Sequence, residues 1–189
     1  MARSKFNVIT HGLSGLVGDM IVFRQKANKT FVSGKPRPSS KPVTAIALAI
    51  RAKFKRATIY ANSVMENPTL KAAYQLTAKL GQSAYNKAFS DYQKAPEIYE
   101  DIDLSVYTGA VGQEIHLSVI DDFRVDSVHV QIKLPAGTIL EEGLADQSAN
   151  GLDWVYTTTA ANAEVPGSQI IFTAKDLPGN QTVLEKLMM

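Results

Sequence analysis

The chain has no cysteine, which excludes disulfides, thiolate metal sites and cysteine nucleophiles in one step. No stretch of it approaches the ~20 apolar residues that a membrane-spanning helix needs. The opening, Met1-Ala-Arg-Ser-Lys5, is positive like the start of a signal peptide. The apolar run that should follow is broken by His11, by Gly12, Gly15 and Gly18, and by Asp19, so no secretion signal is read. The expected setting is the cytoplasm, or a place in an exported or virus-like particle. Histidine is scarce as well. His11, His116 and His129 stand in no ligand spacing, which argues against a metal site. His116 and His129 fall on polar-facing strand positions.

Catalytic patterns are equally thin. Gly12-Leu-Ser-Gly15-Leu-Val-Gly18 lacks the spacing of a dinucleotide loop and the Gly-Lys-Ser/Thr ending of a phosphate loop, and reads as glycines at bends. No carboxylate pair or Ser-His-Asp set assembles from spacing. The chain is expected not to be an enzyme and to carry no cofactor. Acids gather at turns: Asp101 and Asp103, Asp121 with Asp122 and Asp126, and Asp176 with Asn180. Calcium is the one ion such oxygens could take. Turns recruit Asp for backbone reasons, so solvated turns are the simpler account.

What the chain does have is an uneven distribution of charge. The net charge of +2 over 189 residues conceals sixteen Lys/Arg in residues 1–95 against Asp19, Glu66 and Asp91, a local +13. Residues 96–189 hold four Lys/Arg and fifteen Asp/Glu, a local −11. Such asymmetry points to a polyanion partner or to electrostatic self-association.

Secondary-structure signals divide the chain at about the same place. Met20–Arg24 and Thr30–Ser33 are β-rich runs around a polar turn, Lys26-Ala-Asn28-Lys29, and predict a hairpin. Lys35-Pro-Arg-Pro-Ser-Ser-Lys-Pro42 is an extended connector, since three prolines exclude helix. Ile46, Ile50, Phe54, Ala57, Ala61 and Val64 recur at helical spacing. Asn67-Pro68 predicts a second helix, lined by Leu70, Ala73, Tyr74, Thr77 and Leu80 and stopped by Gly81. Ser83 caps a third, with Tyr85, Ala88, Phe89 and Tyr92 on one face, and Pro96 follows it.

From Ile102 onward the period becomes two. Strands are expected at 114–120, 127–133, 139–142, 153–159, 169–175 and 182–187, with Trp154 in the core. The expected fold is therefore α+β and multi-domain. Residues 1–96 form a basic hairpin and three-helix domain, and residues 97–189 an acidic, immunoglobulin-like antiparallel β-sandwich.

The candidate site for a polyanion or a protein partner is the basic half. Arg24, Lys26, Lys29, Lys35, Arg37 and Lys41 crowd the hairpin and connector, and Arg51, Lys53, Lys55 and Arg56 crowd the first helix. Phe23, Phe31 and Tyr60 lie among them, an arrangement suited to phosphate neutralisation and base stacking.

Gly12-Leu-Ser-Gly-Leu-Val-Gly-Asp-Met-Ile-Val-Phe-Arg24, Lys35-Pro-Arg37, Gly81-Gln-Ser-Ala-Tyr-Asn86, Asp121-Asp-Phe123, Trp154-Val-Tyr-Thr157 and Asp176-Leu-Pro-Gly-Asn180 carry a further signal. Over these segments the whole chain resembles an uncharacterised bacterial protein family with no assigned activity. The resemblance implies that the helical half and the sandwich travel together as one unit. The hairpin and basic connector are similar in style to phage-like structural proteins.

Two functional expectations follow. One is a homo-oligomer built head-to-tail, basic half against the next copy's acidic sandwich, with the N-terminal arm adding to a neighbour's sheet edge. The other is a nucleic-acid-binding protein that grips phosphates with the same arm. Neither involves a membrane.

Overall fold

Glycine and a left-handed aspartate explain how the N-terminal segment turns. In the computed structural model, which describes residues 10, 12–26, 29–38 and 42–189 and the backbone of 2–4, Gly18 and Asp19 have φ of 58° and 56°. Consecutive left-handed residues make the tight turn whose twist suits a hairpin. Four strands result: β1 (Ala2–Ser4), β2 (Gly15–Val17), β3 (Ile21–Lys26) and β4 (Lys29–Gly34), antiparallel in the order β1-β4-β3-β2. The expected hairpin is β3–β4, and β1 and β2 widen it. Asn28 and the tip of that hairpin lie outside the described residues. Among the described side chains of these strands only Thr30 is buried, so the sheet has almost no interior of its own.

The three helices form where the capping residues place them. Thr44 accepts from Ala47 N at the start of α1 (Ala45–Glu66). Asn67 accepts from Thr69 N and Leu70 N ahead of α2 (Pro68–Thr77), and Ser83 accepts from Asn86 N ahead of α3 (Ala84–Tyr92). α2 ends at Thr77, before the glycine expected to stop it. Gly81 sits in the connector at φ +79°, and Leu80 is thrown into solvent rather than lining the helix. The buried face of α3 also differs from expectation. It comprises Ala84, Lys87, Ala88 and Asp91, while Tyr85, Phe89 and Tyr92 sit at its half-buried margin.

The six predicted strands are present as β6 (Glu114–Ile120), β7 (Val125–Lys133), β8 (Ile139–Leu144), β10 (Asp153–Thr157), β11 (Gln169–Asp176) and β12 (Gln181–Leu187). Two short ones, β5 (Glu97–Ile98) and β9 (Asp146–Gln147), complete two four-stranded antiparallel sheets, β5-β6-β10-β9 and β12-β11-β7-β8. Alternation sends Ile115, Leu117, Val119, Trp154 and Tyr156 inward from one sheet. Val128, Val130, Ile132, Ile170, Phe172 and Ala174 meet them from the other, giving one sandwich core.

A second, smaller core joins Ala61, Val64, Tyr74, Ala84 and Ala88 of the helices. Phe123, on the β6–β7 turn, stacks on Tyr74 at 3.9 Å and brings the sandwich against the helices. Lys87 Nζ donates to the Asp122 carbonyl at 2.6 Å, Lys94 pairs with the Asp122 carboxylate at 2.7 Å, and Asn180 donates to the Lys94 carbonyl at 2.8 Å. These polar contacts tie α3 to one end of the sandwich.

Candidate functional site

Two sheet surfaces of opposite charge are the main chemical feature of the molecule. On β3 and β4 the register sets Arg24 opposite Phe31 and Lys26 opposite Lys29. Residues directly opposite share a face, so one side of the N-terminal sheet collects the basic positions. Its four strands carry Arg3, Arg24, Lys26 and Lys29 and no Asp or Glu. Arg24, Lys26 and Lys29 are exposed.

The other predicted cations are distributed differently. Lys35 is paired with Asp19, an exposed contact worth little stability that nevertheless neutralises the charge locally. Arg37 is exposed on the extended connector, and Lys41 lies outside the described residues. Arg51, Lys53, Lys55 and Arg56 are exposed on α1, where Lys53 also donates to the Gln93 carbonyl at 2.9 Å. The sheet and α1 thus present separate basic surfaces. Spacing alone did not reveal Lys79. It joins Lys26, Leu80, Gly81, Gln82 and Asn86 around a pocket of about 430 Å3. A neighbouring groove of about 620 Å3 is lined by Arg24, Gln25, Lys26, Phe31, Gly81 and Asn86. No carboxylate among the described residues lines either.

The acidic counterpart is the sheet β5-β6-β10-β9. Its strands carry Glu97, Glu114, Asp146 and Asp153 and no Lys or Arg. Because Ile115, Leu117, Val119, Trp154 and Tyr156 point inward, Glu114, His116, Ser118, Ile120, Asp153, Val155 and Thr157 point outward. Asp146 pairs with Val155 and Glu97 with Ile120, which places both acids at the rim of that face. Hydrogen bonds from Ser118 and Asn150 hold the Asp153 carboxyl below its usual range and keep it charged. His116 contacts Glu114 at 3.3 Å, an ion pair when the imidazole is protonated.

Several acids of the C-terminal half do not belong to this surface. Glu141 is buried and its Oε2 accepts from Thr159 N, Thr159 Oγ1 and Ala160 N. Asp176 is buried and accepts from Asn180 N and Nδ2 across its turn. Asp121 accepts from Phe123 N and Arg124 N, and Asp103 from Ser105 N and Oγ. Asp103, Asp121 and Asp176 close turns, the role Asp commonly has there, and Glu141 ties β8 to the segment that follows β10. Among the described residues no group of three or more His, Cys, Asp and Glu is placed to hold a metal ion.

One buried cluster escaped the sequence reading. Asp91 of α3 is fully buried and accepts from Tyr74 Oη at 2.6 Å, and Tyr60 and Tyr74 hydroxyls lie 2.8 Å apart. Tyr74 has one hydroxyl proton and gives it to Asp91, so Tyr60 is the donor in the second bond. Desolvation pushes the Asp91 carboxyl up to about 7, with the charges of Asp121 and Asp176 adding to the shift and the Tyr74 hydrogen bond opposing it. The other oxygen, Asp91 Oδ1, has no hydrogen-bond partner, and neither has the buried Oδ1 of Asp121. The available signal was a polar residue in the series Ala84, Ala88, Asp91, on the helix face that meets the core.

No helix among the described residues is long and apolar enough to cross a membrane. No protein-family model matches the chain, and no curated protein does. Among solved structures, the chain is similar to a carbohydrate-binding module family 56 β-1,3-glucan binding domain at 15% identity and a TM-score of 0.30, over 48% of this chain and 98% of that one. It is also similar to an engineered protein at 14% identity and a TM-score of 0.32, over 58% of this chain and 30% of that one.

Proposed function

We propose that the chain is a non-enzymatic structural protein that assembles head-to-tail, its basic N-terminal half (residues 1–96) seated on the acidic sandwich (residues 97–189) of the next copy. The observation that carries this is the pairing of two four-stranded sheets in one chain, one without a single acid and the other without a single Lys or Arg. Each surface repels its own kind and attracts the other. The N-terminal sheet, with almost no buried side chain among its described residues, also gains a covering surface from a neighbour. Unlike surfaces meeting between copies give a ring if the rotation closes and a filament if it does not. A component of a filament, ring or phage-like particle is the role this describes. The eight-stranded sandwich, with Trp154 in its core and no disulfide, is read as immunoglobulin-like.

Size-exclusion chromatography with light scattering over a salt series tests the proposal. Oligomers are expected at low ionic strength, shrinking toward monomer as the Debye length falls to about 3 Å near 1 M salt. A strictly monomeric protein at low salt would falsify the reading.

The acid-free groove beside Arg24, Lys26 and Lys79 favours a second reading, nucleic-acid binding through the N-terminal half. It predicts filter-bound complexes whose affinity falls linearly with log salt. Absence of any complex at low salt removes it.

A further inference from the structure

The seam of α1 runs beyond what covers it. Ile46, Ile50, Phe54, Ala57, Ala61 and Val64 lie along one face of a single helix. Ala57, Ala61 and Val64 are 0%, 0% and 1% exposed under α2 and α3, whereas Ile46, Ile50 and Phe54 are 74%, 64% and 58% exposed. Phe54 meets the ring of Phe89 in a T-shaped contact, centroids 4.8 Å apart, and stays largely exposed. A continuous apolar stripe left open for three helical turns marks an interaction surface.

Its surroundings narrow the occupant. Arg51, Lys53, Lys55 and Arg56 flank the stripe, and no Asp or Glu occurs anywhere in residues 20–65. Pairing α1 with α1 of a second copy would therefore set cations against cations. The cations also occur on both sides of the stripe, so the helix has no single polar face of the kind that rests on a bilayer. Contact with the chain's own sandwich is blocked by geometry. The C-terminal half of α1 is packed on α3, which is fixed to the sandwich through Lys87, Lys94 and Phe123, and in that arrangement the first turns of α1 remain exposed. An acid-bearing surface with a modest apolar and neutral centre is what fits. The outer face of β5-β6-β10-β9 has that character, with Ile120, Val155 and Thr157 among Glu97, Glu114 and Asp153.

Resting on the head-to-tail reading, we propose that the first three turns of α1, centred on Ile50, dock across β6 and β10 of a second copy of the chain. The N-terminal sheet then flanks this contact instead of forming its centre.

The absence of native cysteine allows a direct test. Full-length Ile50→Cys and His116→Cys proteins, one carrying a mass tag, are mixed at low salt under mild oxidation. His116 is exposed at the middle of β6, and Leu187→Cys, exposed on the outer side of the opposite sheet, replaces it in the control pair. The expected result is a disulfide-linked heterodimer of Ile50→Cys with His116→Cys, in roughly tenfold or greater excess over the control pair, because docking raises the local thiol concentration. Equal yields from the two pairs overturn the inference, as does a dominant Ile50→Cys homodimer. So does recovery of the protein on anionic vesicles with loss of the cross-link. Light scattering on the same samples separates the two levels: association without the specific cross-link sinks this docking site alone, and no association sinks the assembly reading with it.

Discussion

Asp91→Asn is expected to stabilise the protein at pH 8 and to remove most of its loss of stability between about pH 4 and pH 7. The sign follows from linkage. The folded-state carboxyl titrates near 7, and its ordinary value is 3.8, so between those values the folded state binds more protons than the unfolded state. Stability therefore falls as pH rises through that window and levels off above it. At 1.36 kcal/mol per pKa unit the effect is at most about 4 kcal/mol. The variant has no charge to bury, keeps an oxygen for the Tyr74 hydroxyl, and removes the repulsion toward Asp121. Asp176, also raised by burial, adds a contribution of the same sign that the variant retains. Thermal melts of both proteins at pH 5 and pH 8 measure the effect, and parallel melts with a constant offset would show that Asp91 does not titrate in this range. Tyr74→Phe should act in the opposite direction, costing more at pH 8 than at pH 5 because the ionised carboxylate loses its donor.

Gly109→Ala is expected to cost at least about 3 kcal/mol, or to prevent the sandwich from folding. Gly109 has φ +85°, and a Cβ there would sit 2.2 Å from the Asn162 carbonyl oxygen and 2.7 Å from Val165 Cγ2. The backbone cannot retreat, since Asn162 N donates to the Gly109 carbonyl at 2.8 Å. Asn162 itself is buried and tied to Tyr107 and Ser168. Gly112 supplies the control: φ is +80° with nothing within 4 Å of an added Cβ, so Gly112→Ala should show only the left-handed penalty of about 1–2 kcal/mol. Urea denaturation of the pair gives the comparison, and equal losses would mean the close approach at Gly109 is absent.

The elements that could be read from the chain are those built by local chemistry. Asn67 and Ser83 cap the helices they announce, and β6, β7 and β11 show their period-two alternation because one face of each is buried. Elements of two or three residues, such as β5 and β9, exist only through pairing with distant partners and leave no period to detect. The end of α2 was misplaced because Gly81 is a good stop signal, yet the chain already turns extended at Ala78. Charge could be counted but not located. The count placed fifteen acids in the C-terminal half, and only register and topology show that Glu141 and Asp176 are buried while Glu97, Glu114, Asp146 and Asp153 share one sheet. The buried Asp91 was hidden because a carboxylate is ordinarily assigned to solvent.

The head-to-tail assembly is tested most directly by crippling one surface at a time. An Arg24→Glu/Lys26→Glu/Arg51→Glu/Lys55→Glu protein has both basic surfaces of its N-terminal half damaged, and a Glu114→Lys/Asp146→Lys protein a damaged acidic one; all six positions are exposed. Sedimentation velocity at low salt should find each variant alone as a monomer. Their equimolar mixture should form a heterodimer and nothing larger, since each supplies only one intact surface. Variants that assemble like the wild type, or a mixture that stays monomeric while the wild type assembles, would contradict the account.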